Sequence, residues 1–141
     1  MAALSVTAAS VLASAAATIV SNYLFGATIT AGQAVYLDTA TSTWKLLDID
    51  AASGPGCGLS DTRGIALNGG SSGQPASVCI RDTDFTPGAT MTNGKVIYAF
   101  TTAGAISEAD IPATSSYPVV FGIAKSTTKL NLQPFASGAV I

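Results

Sequence analysis

From Gly26 onward the chain alternates short runs of β-branched, aromatic and other apolar residues with turns rich in Gly, Pro, Asn and Asp. Turn signals at this spacing are typical of an all-β barrel or sandwich. Strands are predicted over residues 33–37, 43–47, 63–67, 75–81, 95–100, 105–111, 118–124 and 129–134, with a linker over 82–87. The pattern therefore predicts an all-β fold, either a small β-barrel or a β-sandwich.

A segment near the start of this region is repeated 62 residues later. Residues 26–36 and 88–98 share six identities in eleven positions, and their apolar positions stay apolar. Each copy is followed by a Gly-Ile-Ala triplet, which begins at Gly64 and again at Gly122. We therefore expect two pseudo-repeated β units, residues 26–82 and 88–138, within one β domain over residues 26–141.

Each copy of the repeat contains a turn signal at the same place. Asn93-Gly94 favours a two-residue hairpin turn, because both residue types tolerate positive φ. Ala31-Gly32 holds the equivalent position in the first copy. We expect a strand to begin directly after each turn.

The first 25 residues carry no charge between positions 2 and 20 and are rich in Ala, Ser and Thr. No Lys or Arg precedes their apolar part, unlike in a secretory signal, and their large apolar residues are too sparse for a membrane span. We interpret residues 1–25 as an extended N-terminal arm that ends in three large residues, which anchor it on its own domain or on a neighbouring subunit. The candidate interface consists of the large apolar residues of this arm: Leu4, Val6, Val11, Leu12, Ile19, Val20, Tyr23, Leu24 and Phe25.

Charged residues make up 10% of the chain, against roughly a quarter in typical globular domains, and the formal net charge is −2. Long charged side chains lose the most entropy when they are immobilised, so a surface with few of them is suited to being covered by a neighbouring protein. A Thr-rich sheet surface alone would give the same composition. The six basic residues are scattered singly and form no positive stripe, so neither nucleic acid nor a membrane is an expected partner.

The sequence contains no histidine, which removes the commonest general base and the commonest zinc ligand. Cys57 and Cys79 belong to no C-x-x-C pair; one bridge between them is possible, but free Cys is also a common small core residue. Three acid pairs have a spacing that could hold a divalent cation, although such segments are usually turns. These pairs are Asp48 with Asp50, Asp82 with Asp84, and Glu108 with Asp110. We expect no metal, no cofactor and no catalytic site, and the remaining enzymatic alternative is a hydrolase that uses carboxylates alone.

Several segments within residues 26–138 resemble the small capsid decoration (cement) proteins of tailed bacteriophages. These segments are residues 26–44, 63–68, 73–78, 122–126 and 130–135. The resemblance implies a non-enzymatic virion protein that is made in the cytoplasm of the bacterial host and binds the outer surface of an assembled head. It also implies contact with the major capsid protein, often as a homotrimer, which stabilises the contacts between capsid subunits. The N-terminal arm would then suit lying across a neighbouring subunit.

A second function is open at this point. The chain could be a phage tail or fibre component, or a surface adhesin, that recognises a host glycan. Aromatic side chains stack on sugars only where they are accessible, so this function requires Trp44, Tyr23 or Tyr117 to be exposed.

Overall fold

The computed structural model describes residues 3–49, 62–108 and 117–136. Within these ranges the chain is all-β, with one short 3-10 helix at Ala8–Ser10. The strands in chain order are β1 Thr18–Val20, β2 Leu24–Phe25, β3 Ala34–Asp38, β4 Thr43–Leu46, β5 Arg63–Ala66, β6 Val78–Phe85, β7 Val96–Ala99, β8 Ile106–Ser107, β9 Val119–Ala124 and β10 Leu130–Ala136. The all-β prediction is confirmed.

The strands lie in the order β2-β4-β3-β5-β6-β10-β9-β7-β8, and β1 also pairs with β6. The sequence analysis allowed either a β-barrel or a β-sandwich. This sheet does not close on itself, so the described strands do not form a barrel. One edge of β6 pairs with β5. Its other edge pairs first with β1, over residues 78–81, and then with β10, over residues 82–85. β6 therefore links the two halves of the sheet.

β6 extends beyond its predicted end. The sequence analysis placed a linker over residues 82–87, whereas the strand continues to Phe85. In this extension Asp82 pairs with Leu132 and Phe85 pairs with Leu130, both on β10. The pairing with a distant strand keeps a segment of turn-favouring residues extended, which a local sequence pattern does not reveal.

The repeated sequence builds a repeated arrangement of strands. The first unit, β3 to β6, has the order β4-β3-β5-β6, and the second unit, β7 to β10, has the equivalent order β8-β7-β9-β10. The two predicted turns are also equivalent, since Gly32 and Gly94 have φ of 94° and 84°. Their N–H groups donate hydrogen bonds of 2.8 Å to the carbonyls of Ala66 and Ala124, which are themselves equivalent residues.

Buried side chains form two cores. The larger, which we call the main core, combines residues of both units with Leu47 and Ile49. The smaller core lies on the other face of the first unit, where Trp44 packs with Phe25 and Ile29 from the chain before β3. The first unit is therefore covered on both faces.

Two strands of the second unit approach each other closely at Gly122. This glycine has a φ of 142°, and a Cβ atom there would overlap the carbonyl oxygen of Asn131 on β10. Gly64, the equivalent residue of the first unit, faces the carbonyl oxygen of Cys79 in the same way. Only glycine fits these positions, because the obstacle is backbone rather than a movable side chain.

Replacing Gly122 with Ala is expected to lower the free energy of unfolding by ~3 kcal/mol or more, because the new methyl group collides with the backbone of β10 at Asn131. Gly94→Ala is the matched control: Gly94 also has positive φ, but the space around it is open. Its cost should be limited to about 1–2 kcal/mol of left-handed backbone strain. Urea denaturation of both variants measures the difference, and equal losses would contradict the steric explanation.

Candidate interaction surfaces

The described part of the N-terminal segment lies along its own domain. Leu4 donates its backbone N–H to the carbonyl of Ile106, and Leu12 exchanges two backbone hydrogen bonds of 2.9 Å with Thr86. Further along the segment, β1 pairs with β6 in antiparallel orientation. The described residues therefore form an integral layer of the fold and not a free extended arm.

The nine candidate interface residues of this segment differ in exposure. Leu12, Ile19 and Leu24 expose 63%, 46% and 46% of their surface. Phe25 is fully buried in the smaller core, so its contacts lie within its own domain. The other five are partly buried: Leu4, Val6 and Val11 against the main core, and Val20 and Tyr23 against the smaller one. The structure thus leaves Leu12, Ile19 and Leu24 most accessible to a partner.

A buried carboxylate fastens the N-terminal segment to β6. The Oδ2 atom of Asp82 accepts a hydrogen bond of 2.6 Å from the N–H of Ser14, and its Oδ1 atom accepts hydrogen bonds from the Ser14 hydroxyl and the Asp84 N–H. Burial raises the pKa of Asp82, but these hydrogen bonds and the positive charge of Lys129 outweigh burial, so the pKa lies below its ordinary value. The carboxylate is therefore ionised at neutral pH, and both of its oxygens are occupied. The sequence analysis treated this residue as part of a turn and missed the anchoring role.

Other acidic side chains also make structural contacts. Glu108 accepts hydrogen bonds from the N–H and the hydroxyl of Thr92, at 2.7 and 3.1 Å. Asp38 lies 2.7 Å from Lys45 Nζ, and this hydrogen bond lowers the pKa of the Asp38 carboxyl. These contacts stabilise loops and strand ends.

The three acid pairs do not assemble a metal centre in the part of the chain that the structure describes. Within residues 3–49, 62–108 and 117–136, no group of three or more His, Cys, Asp or Glu side chains could hold a metal ion. Asp84 lies 3.4 Å from the amino group of Lys125 at the surface. Asp50 and Asp110, the second members of the other two pairs, lie outside the described residues.

Cys79 is a buried free cysteine in the main core. Burial raises the pKa of its thiol to about 11, so the reactive thiolate is scarce at neutral pH. This agrees with a packing role. Cys57, its possible bridging partner, lies outside the described residues.

An apolar sheet surface covers one side of the second unit; we call it the outer face. Register pairing sets Tyr98, Val120 and Phe135 side by side on β7, β9 and β10. The same pairing sets Val96 and Asn131 on either side of Ile123 in the next row, so one amide borders the apolar side chains. Ile123 and Phe135 expose 52% and 65% of their surface, and none of these six side chains is charged. Exposed apolar side chains that cluster in this way are typical of an interaction surface.

The equivalent face of the first unit is buried. There the register sets Ala34, Ile65 and Cys79 side by side, and all three are inaccessible to solvent. They pack in the main core with side chains of the second unit. Ile65 and Ile123 belong to the two copies of one Gly-Ile-Ala motif, but only Ile65 is covered. The outer face therefore has the character of a packing surface that no other segment among the described residues covers.

The aromatic residues required for glycan recognition are poorly accessible. Trp44 is completely buried in the smaller core. Tyr23 and Tyr117 are half-buried. Stacking on a sugar would therefore have to use only part of either tyrosine ring.

No protein-family model matches the chain, and a search of curated proteins finds no significant match. None of the helical structure in the described residues is long and apolar enough to cross a membrane.

Replacing Ser14 with Ala is expected to lower the free energy of unfolding at pH 7 by about 1.5–3 kcal/mol, because it removes a hydrogen bond to a buried, ionised carboxylate. The pKa of Asp82 is depressed in the folded state, so this contribution is present above the ordinary value of 3.8 and is lost as the pH falls through the folded-state pKa. The difference between wild type and variant should therefore be constant near neutrality and shrink below about pH 4.

Urea denaturation over a range of pH provides the measurement. Ser21→Ala, at an exposed position of the same segment, is the control and should change stability by less than about 0.5 kcal/mol. A Ser14→Ala effect that persists undiminished at strongly acidic pH would contradict an ionised Asp82 as the acceptor.

Proposed function

We propose that the protein is a non-enzymatic structural component of a virion, which binds the outer surface of a bacteriophage head and stabilises contacts between major capsid subunits. The observation that carries this proposal is the uncharged outer face with its exposed apolar side chains. Asp38, Asp82, Asp84 and Glu108 make structural contacts instead of lining a reactive site. The head as the binding partner comes from the resemblance of residues 26–138 to capsid decoration proteins. Such a protein would be made in the cytoplasm of the bacterial host.

The outer face supports self-association, with a homotrimer as the proposed assembly. Its five apolar side chains lie on three adjacent strands, β7, β9 and β10. Because neighbouring strands are about 4.8 Å apart, this surface is roughly 10–15 Å wide, large enough to form the centre of a subunit contact. In the first unit, the equivalent positions are covered by the second unit of this chain, which supports a second copy as the cover of the outer face.

The exposed residues of the N-terminal segment support attachment to the capsid. Leu12 and Leu24 are held by backbone hydrogen bonds of their own domain, to Thr86 and to the β4 strand respectively. A contact made by side chains that are already ordered costs less entropy than one made by a free arm. Three copies bound at once would turn individually weak contacts into firm attachment.

Replacing Leu12 and Leu24 together with Ser is expected to weaken attachment to expanded heads at least tenfold, because about 1–1.5 kcal/mol of apolar burial is lost at each position. Both side chains are exposed in the free protein, so the variant should fold. Co-sedimentation with expanded heads and with unexpanded proheads of the encoding phage gives the copies bound per capsid subunit. Thr28→Ala, at another exposed position, is the control. If the double variant attaches to heads as well as the wild type does, the N-terminal segment does not contribute to attachment. If the wild type does not bind heads at all, the bacteriophage head is not its partner.

Replacing Ile123 and Phe135 with Asp is expected to convert the homotrimer into monomers of 14.0 kDa, because three like-charged faces would then meet in a desolvated contact. Sedimentation equilibrium measures the mass. Leu24→Asp is the matched control, since Leu24 is similarly exposed but lies on β2 at the opposite end of the sheet order. A wild-type protein that stays monomeric at high concentration would contradict the trimer.

A further inference from the structure

A polar groove of about 240 Å³ lies where the N-terminal segment crosses the loop between β6 and β7. Six of its eight lining residues carry a hydroxyl group, and none of the eight is charged. We call it the hydroxyl groove. It lies apart from the outer face and from the exposed apolar side chains of the N-terminal segment. Its lining residues are Ser5, Thr7, Ser10, Thr86, Gly88, Ala89, Thr90 and Thr128.

The backbone of the loop adds hydrogen-bond donors to the groove. Residues 88–90 repeat the tripeptide of residues 26–28, but the two copies differ in backbone conformation. Gly26 donates its N–H to the carbonyl of Trp44. Gly88 instead has a φ of 79°, and the N–H groups of residues 88–90 donate no hydrogen bond to the residues that the structure describes. Successive free N–H groups at a left-handed residue form a concave arrangement that favours anions.

The N-terminal segment forms the opposite wall of the groove and is already fixed in place. Thr7 donates its N–H to the carbonyl of Gly88 at 2.8 Å, and Leu12 is bonded to Thr86. A Cβ atom at Gly88 would lie 2.6 Å from the carbonyl oxygen of Thr7, so only glycine allows this approach. A ligand therefore meets a preformed groove and does not have to order its walls.

A lysine next to the groove strengthens one of its donors. Lys129 Nζ donates a hydrogen bond of 2.8 Å to Thr86 Oγ1. The hydroxyl oxygen acts as the acceptor, so its proton is left to donate to a ligand. Because linked hydrogen bonds polarise one another, the ammonium group makes this hydroxyl a better donor to a negative charge. The Asp82 carboxylate also senses Lys129, but it is buried and its oxygens are occupied by Ser14 and Asp84.

We propose that the hydroxyl groove binds a phosphate group. The oxygens of a phosphate are strong acceptors that several hydroxyl and N–H donors can satisfy together. No carboxylate lines the groove to repel the anion. A neutral sugar suits it less, because no aromatic side chain lines the groove for stacking. This proposal does not depend on attachment to a bacteriophage head.

The first experiment titrates the full, isotope-labelled chain with inorganic phosphate while the backbone amide resonances of residues 88–90 are followed by NMR. Sodium chloride at matched ionic strength and glucose are titrated separately. Saturable shifts with phosphate are expected, with a Kd of about 1–10 mM, and no saturable shift with chloride or glucose. Absence of saturation with phosphate, or equally tight binding of glucose, would overturn the proposal.

A phosphomonoester separates two sources of the phosphate group. Methyl phosphate is titrated under the same conditions. Binding at least as tight as that of inorganic phosphate would assign the groove to a phosphate carried on another molecule. Weaker binding would assign it to the free anion.

Variants then locate the binding in the groove. Thr86→Val keeps the shape of the side chain but removes the polarised hydroxyl, so it is expected to weaken phosphate binding about tenfold. Thr90→Val, at an exposed position that the fold should tolerate, is expected to weaken it several-fold. Thr28→Val is the matched control, since Thr28 is the equivalent exposed residue of the first copy, and it should leave the affinity unchanged. Circular dichroism verifies folding. Full phosphate affinity in the folded Thr90→Val and Thr86→Val variants would overturn the proposal.

Discussion

The architecture depends on one strand that is paired along both edges. β6 carries β5 on one edge, and β1 followed by β10 on the other. At Asp82, the pairing of β6 changes from β1 to β10. The Asp82 side chain joins the segments that meet there, because it accepts three hydrogen bonds, two of them from Ser14. A buried, ionised carboxylate is tolerated only where such donors surround it. The junction therefore fixes the N-terminal segment, the first unit and the second unit relative to one another.

Duplication of the β unit explains both what is buried and what is left open. Each of the two stacked units has two sheet faces. One face of each unit is buried in the main core between them, and Phe25 and Ile29 cover the other face of the first unit in the smaller core. Nothing in the described residues provides an equivalent cover for the remaining face of the second unit, where Ile123 and Phe135 are exposed. The same motif thus serves as core in one copy and as surface in the other, because the copies occupy different layers.

Local patterns predict the repeated parts of this fold well. The Gly32 and Gly94 turns and the strands that follow them were predictable because the required φ restricts the residue type. The extension of β6 was not predictable, because the pairing of Asp82 and Phe85 with β10 joins residues about fifty positions apart. The same limit applies to the candidate surfaces. Hydrophobicity selected Phe25 together with Leu12, but only the packing shows that one is core and the other is exposed. The outer face was missed because its members are spread over three separate strands.

The scarcity of charge gives the few charged groups of this chain distinct roles. An apolar surface such as the outer face supplies affinity, but dispersion and hydrophobic contacts tolerate sliding and rotation. Charged hydrogen bonds are directional, and they penalise a wrong register because an unpaired buried charge is costly. Asp82 uses this property within the chain, where it fixes Ser14 against β6.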